Sequence, residues 1–566
     1  MTTLPPQTAA IIATVLAAYV GVLLLIAWQA KRRTHGGEDF HIAGRSLGAW
    51  AAGISSTASS ESGWVTMGAV GMTYVYGVAG LWYAPGCLLG YLVNLYFVAP
   101  RLRRLAGEQG SVTMVDVLTR RWGDPRHVVR LTAVVIVVLS MMAYVAAQMT
   151  AAGKAIESTL RLDHFDLNLG FAVIELTPYI TGVLLGALVI TIVTLLGGFR
   201  AVAWTDLFQG LLMAGSLIAL PLYAVWTLGG FGSLAEGLGA QDPRLLTATG
   251  RYLGPAIAGF IVGELGIGLG YPGMPHVVTR YMATRDEHQV RRLRLIAMGW
   301  GVAVFYGAGL LGLAARAMVP GLADGEQALM YVALELLHPA LAGLMLAAVA
   351  SAILSTVSSQ LLVAASAVSY DVVEGVLDRR PDDRRSLRLG RITVAVVGGL
   401  GVLLALSKAR VVFWFVLFAW SALGASFGPL MLLALGRNRM NRCGALAGML
   451  TGAGVTVAWK LGRDAAASPG PFAWVPAAVA VTALLLLVAG RLTRRTTRGD
   501  ELAVAAAAIL TVTAWGLVSV EGFSHVYELV PAFLAAGAAA LGVSRLSRSG
   551  SPESRTDPHR SDRLGG

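Results

Sequence analysis

The chain has 566 residues, 56% of them hydrophobic and only 13% charged, with a mean hydropathy of +0.66. That excludes a soluble globular body: apolar runs of about 20 residues recur along it, the length that spans a ~30 Å hydrocarbon core. The net charge of +12 and pI near 9.9 read as membrane topology, with Lys and Arg gathered in inner loops, and not as a nucleic-acid footprint.

In chain order the apolar runs predict fifteen membrane helices, near 8–30, 46–74, 78–100, 127–157, 174–198, 203–228, 250–281, 291–319, 338–374, 389–409, 411–437, 442–462, 473–490, 502–520 and 526–545. The N-terminal MTTLPPQTAA lacks a basic leader region, so the first run is expected to be retained. With the N-terminus outside and the C-terminus inside, 35 of the 44 Lys and Arg fall on the inner side, as the positive-inside rule requires. The expected location is a cytoplasmic (inner) membrane. Two cysteines, Cys87 and Cys443, sit in apolar surroundings and form neither a disulfide framework nor a metal pattern.

Spans two and seven are interrupted. Span two carries GISSTASSESGW, and span seven carries GIGLGYPGMPHVV with Pro272 and Pro275 three apart. Proline removes a backbone donor and clashes with the preceding turn, and glycine lowers the cost of leaving the helix. Freed carbonyls in hydrocarbon cost several kcal/mol each, so such breaks persist only where protein, water or an ion satisfies them. The two breaks lie five spans apart, which is the arrangement of two five-helix repeats around a midplane binding site. A kink used only for packing is the alternative.

The organisation that follows is a first helix and inner loop (1–45), a first repeat with the opening broken helix of the second (46–281), and the rest of the second repeat (282–437). C-terminal helices with an inserted hairpin near 470–520 follow (438–545), and then a polar, disordered cytoplasmic tail (546–566). In span nine, Ala352, Ser355 and Thr356 share one helix face. Their oxygens suit a hard monovalent cation such as sodium, although small hydroxyl residues also serve helix–helix contact.

These stretches resemble the sodium:solute symporter family, most strongly its sodium/proline branch. The motifs are FHIAGRSLGAW (40–50), SSESGWVTMGAVG (59–71), LGGFRAVAWTDLFQG (196–210), GLGYPGMPHVVTRYMA (268–283), LSTVSSQLLVAASAVSYD (354–371) and SALGASFGPLMLLAL (421–435). The resemblance implies an all-α, LeuT-like fold of inverted repeats, alternating access, and sodium as the co-transported ion. It implies a sodium site at Ala58, Glu61 and Ala352 (carbonyls) with the hydroxyls of Ser355 and Thr356. It implies a solute region at Ser60, Ser62, Gly63, Trp64, Tyr144, Tyr271 and Pro275. Asp206 matches a carboxylate linked to inward sodium passage; a helix cap at an inner turn is its other reading.

Three departures stand out. The proline branch has aspartate where this chain has Ser60 and methionine where it has Glu61. It has tryptophan where this chain has Ile267, which implies an altered pocket. Glu264, seven residues before Tyr271 on the same face, has no counterpart there; it either meets a solute amine or lies in water near the outer mouth. The inserted hairpin is the third departure.

The expected function is sodium-coupled import of a small organic solute, proline or another amino acid first, and not an enzyme reaction. The partners are the solute, sodium and the lipid bilayer, with no nucleic acid. Proton coupling through Glu61 is one alternative. A membrane sensor built on a transporter fold is another; it would need a separate signalling partner. An embedded enzyme would need a metal cluster or a nucleophile–base pair, and His276, the histidine beside the breaks, has no evident His or Cys partner.

Overall fold

A computed structural model describes residues 5–34, 37–160, 165–168, 173–378, 383–406, 412–436, 440–467, 497–518 and 525–549. Among these, eleven helical stretches are long and apolar enough to cross a membrane. Two short antiparallel strands, Phe165–Asn168 and Val173–Leu176, pair with Phe165 opposite Leu176.

Two of the eleven stretches are too long for one crossing: Ala49–Gln109 has 61 residues and Pro178–Thr227 has 50, where a crossing takes about 20. Each contains a reversal at a glycine. The first turns at Gly77, with φ 65°, between predicted spans two and three. The second turns at Gly198, with φ 57° and ψ −151°, where spans five and six were expected to part. A Cβ on Gly198 would also lie 2.6 Å from the Phe40 ring and 2.9 Å from its carbonyl oxygen. Conformation and packing therefore both require glycine there. The turn is pinned by Arg200, whose Nη2 donates to Asp39 at 2.9 Å and to the Ala43 carbonyl at 3.2 Å. The 40–50 motif is thereby fastened beneath the bundle.

Span nine, Pro339–Glu374, lies at the centre: 78% of its most apolar stretch is buried, against 17% for Pro6–Lys31 at the edge. Spans three and seven cross with backbones almost touching. A Cβ on Gly268 would come 2.0 Å from the Gly86 carbonyl oxygen, and one on Gly90 would come 2.4 Å from the Gly268 carbonyl oxygen. A Cβ on Gly270 would strike the Trp420 indole at 1.9 Å. The span-seven glycines thus serve close packing as well as helix breaking. Because the obstacle at Gly268 is backbone and cannot swing away, Gly268→Ala is expected to cost on the order of 1–3 kcal/mol or more. The check is a lowered thermal unfolding midpoint of the purified protein in detergent.

At the other end of the bundle Lys154 binds Asp324 at 2.9 Å and Glu326 at 2.5 Å. That pair clips the 324–336 segment over the end of span two, where a Cβ on Gly71 would lie 2.9 Å from the Glu326 amide nitrogen.

Near the C-terminus, helices Arg442–Ala467, Arg498–Leu517 and Leu529–Ser549 pack on one another, and the first and last of them also pack against Val412–Leu435. Arg442 bonds Asp500 at 2.8 Å, and Asp500 completes a capping box with Thr497. The predicted span 502–520 corresponds to Arg498–Leu517. The predicted span 473–490 and most of the 546–566 tail lie outside the described residues.

Candidate functional site

Both predicted breaks are present. Helix Ala49–Gly63 stops being helical at Ser62, with φ 50° and ψ −173°. Such a backbone costs a non-glycine residue about 1–3 kcal/mol and persists only where its surroundings fix it. The Ser62 hydroxyl oxygen accepts the Trp64 amide at 3.1 Å and the Tyr144 hydroxyl at 3.4 Å. The Gly63 amide donates to Gln148 Oε1 at 2.9 Å. A widened π-helical turn, Trp64–Ala69, follows. In span seven the helix Pro255–Gly266 tightens into a 3-10 segment over Ile267–Gly273. It then breaks at Met274, in extended backbone, and restarts with Pro275 in the first turn of Pro275–Met282. Trp420 Nε1 donates to the Ile267 carbonyl at 3.0 Å, and Asn94 Nδ2 shares the Tyr271 carbonyl with the Met274 amide, both at 3.3 Å. These are the partners that a break in hydrocarbon demands.

Span nine faces the span-two break. The Ser355 hydroxyl reaches the Ala58 carbonyl at 3.1 Å and the Ala352 carbonyl at 3.2 Å. The Thr356 hydroxyl reaches the Ser59 carbonyl at 3.0 Å and the same Ala352 carbonyl at 3.1 Å. Five neutral oxygens therefore converge from two helices, on residues that are completely buried. Four of the five predicted ion residues, Ala58, Ala352, Ser355 and Thr356, come together. The Glu61 carbonyl instead accepts the Trp64 amide, and the Ser59 carbonyl stands beside Thr356. Such a set of oxygen dipoles, with no carboxylate, matches a hard cation of low charge.

The Glu61 side chain points elsewhere. Its Oε1 accepts hydroxyl bonds from Ser60 and Tyr91, both at 2.8 Å, and from Tyr271 at 2.9 Å. It helps line a narrow cavity with Ser60, Trp64, Tyr144, Ile267, Tyr271 and Trp420. The cavity's free space is about that of one water in this structure. Tyr271 stands edge-on to Tyr91 at 4.8 Å and to Trp420 at 4.9 Å. Ser60, Trp64, Tyr144 and Tyr271 are thus gathered as expected. Ser62 and Gly63 do not line the cavity; the Ser62 hydroxyl instead meets the Tyr144 hydroxyl, and the Gly63 amide meets Gln148. Pro275 is not part of this cavity; it lines a separate one with His41, Thr113, Ser359 and Asp371, because the Met274 break carries the chain away from Tyr271. Glu264 does not line the cavity either, and its buried Oε2 has no hydrogen-bond partner among the described residues.

Asp206 is no helix cap. It lies in the second half of Pro178–Thr227, past the Gly198 turn, and is fully buried. Its Oδ2 accepts from Ser55 at 2.6 Å, from Ser59 at 3.0 Å and from Arg280 Nη2 at 3.0 Å. Arg280, at the end of predicted span seven, is buried too. It also donates from Nε to Ser55 at 3.0 Å, and to the His276 carbonyl and the Ser359 hydroxyl. Ser359 in turn donates to the Ser355 carbonyl at 2.6 Å. The carboxylate–guanidinium pair therefore lies one helical turn from the oxygen cluster and is wired to it.

Tyr91, Asn94, Gln148, Arg280 and Trp420 were not foreseen. Each is a single polar or aromatic residue in an apolar run, where spacing alone cannot separate a site residue from packing.

Two broken membrane helices, each with its freed backbone recaptured, flanking a hydroxyl-bearing helix, define a secondary transporter of the inverted-repeat kind. The chain belongs to the sodium:solute symporter family, whose model matches residues 40–452. It is 34% identical over 444 residues to the high-affinity proline transporter of Bacillus subtilis, covering 77% of this chain and 89% of that one. It is 32% identical over 451 residues to the sodium/proline symporter of Escherichia coli, covering 78% and 86%. Its fold matches that of a solved sodium-coupled sialic acid symporter with a TM-score of 0.66 at 18% identity, over 95% of this chain and 98% of that one. The protein is a multi-pass membrane transporter that couples solute movement to sodium.

Proposed function

We propose that the chain imports L-proline, or a small amino acid like it, into the cytoplasm on a sodium gradient. In this reading it crosses a cytoplasmic membrane fifteen times, with its N-terminus outside and its C-terminus inside. Sodium takes the oxygens of Ala58, Ser59, Ala352, Ser355 and Thr356. By bridging spans two and nine it fixes the Ser62 break, and with it the cavity walls at Ser60, Trp64 and Tyr144. The solute binds between the span-two and span-seven breaks, walled by Trp64, Tyr144, Tyr271 and Trp420. Asp206, tied to Ser55 and Ser59 on the span that carries the ion ligands, receives the ion on its way inward and hands its place back to Arg280.

The observation that carries the reading is the convergence of Ser355 and Thr356 on the span-two carbonyls. The named function of the relatives at 32–34% identity supports the choice of solute. The test is equilibrium binding of radiolabelled L-proline to the purified protein in sodium and in potassium chloride. Saturable binding in sodium alone is expected. Equal binding in both salts would contradict the coupling, and no binding in either would contradict the solute.

A further inference from the structure

We propose that the Glu61 side chain seats the ammonium group of the transported solute. The proposal rests on the symport reading and adds to it the charge of the recognised group and the residue that holds it.

Glu61 is buried, at 1% exposure, within a membrane span. An intramembrane carboxylate is costly and normally faces a cavity or a partner charge. Here the cavity is present and the partner charge is not. No Lys or Arg pairs with Glu61 among the described residues, and the buried Arg280 is committed to Asp206. The hydrogen bonds are lopsided. Ser60, Tyr91 and Tyr271 all donate to Oε1, and Oε2 receives none from the described residues. Three hydroxyls from spans two, three and seven therefore fix the carboxyl group and leave its second oxygen for a donor that the protein does not supply.

The surroundings select the donor. Trp64, Tyr144, Tyr271 and Trp420 line the cavity with Glu61, and aromatic rings beside a carboxylate attract an organic cation through both charge and ring quadrupole. Sodium is served by neutral oxygens elsewhere: the Ser355 and Thr356 hydroxyls contact Ala58 and Ser59, not the Glu61 carboxylate. The carboxylate is thus a charge that the ion site does not use.

The experiment uses the full chain in proteoliposomes under a sodium gradient. Wild type, Glu61→Gln and Glu61→Asp are compared on matched solutes: L-proline with tetrahydrofuran-2-carboxylate, L-alanine with L-lactate, and glycine with glycolate. Each pair is scored by competition against the best-transported member, and sodium affinity is measured in parallel. Wild type should prefer the ammonium-bearing member of its preferred pair by at least about tenfold, the scale of one hydrogen bond to a charged group. Glu61→Gln should erase most of that preference by weakening the ammonium member, with the sodium affinity unchanged within about twofold. Glu61→Asp, which keeps the charge, should retain part of it, which separates lost charge from misfolding.

A preference that survives Glu61→Gln would overturn the proposal and leave symport standing. So would a tenfold loss of sodium affinity with the preference intact, which would make the carboxylate an ion ligand. Wild-type uptake driven by a pH gradient and lost in Glu61→Gln, with no amine preference, would overturn it in favour of a proton site. Failure of sodium to drive any of the six solutes would overturn the symport reading itself, and the proposal with it.

Discussion

Replacing Ser355 and Thr356 together with alanine is expected to weaken sodium binding by at least about a hundredfold. The two hydroxyls supply two of the five converging oxygens, and both also orient the Ala352 carbonyl, at 3.2 and 3.1 Å. Polar contacts to a charged group are worth about 1.5–3 kcal/mol each, and tenfold in affinity is about 1.4 kcal/mol. Losing two therefore exceeds a factor of a hundred. The measurement is the sodium concentration for half-maximal solute binding in the purified double variant. Solute affinity at saturating sodium should be nearly restored, because the aromatic cavity is untouched. A half-maximal sodium concentration within about threefold of wild type would mean that these hydroxyls only hold two helices together.

The second large effect is expected at the buried pair below that cluster. Asp206→Ala removes the carboxylate that pairs with Arg280, whose side chain is 1% exposed. Breaking a buried ion pair from one side costs about 3–5 kcal/mol, because the remaining charge stays desolvated. Asp206→Ala should therefore lower the thermal unfolding midpoint in detergent sharply, and Arg280→Ala should do the same. The combined Asp206→Ala, Arg280→Ala variant should lose much less than the sum of the two single losses, since the pair acts as a unit. Strict additivity would show that the two residues do not stabilise one another.

The positions of the two breaks were legible in the sequence because Gly, Pro and clustered Ser stand out against Leu and Val. So were Ala352, Ser355 and Thr356, whose i, i+3, i+4 spacing puts them on one face before any partner is known. Long-range pairing was not legible in the residues themselves; the family resemblance alone put Ala58 with Ser355 and Thr356. That Ser355 meets Ala58 and Thr356 meets Ser59 depends on how two helices pack, as does the choice of the Ser59 carbonyl over that of Glu61. Pro275 was misplaced for the same reason: it is four residues from Tyr271 in sequence, but Met274, with φ −88° and ψ 105°, turns it into another cavity. Arg280 was not singled out because a charge at the edge of an apolar run looks like a loop residue until its buried partner is seen. Asp206 and Arg280 lie 74 residues apart, and neither helix on its own signals the other.

The most direct single test is uptake of labelled L-proline into proteoliposomes under a sodium gradient, a proton gradient and neither. Uptake that needs the sodium gradient alone is the result expected of an ion held by span-two carbonyls and span-nine hydroxyls. Uptake driven by the proton gradient with sodium absent would contradict it.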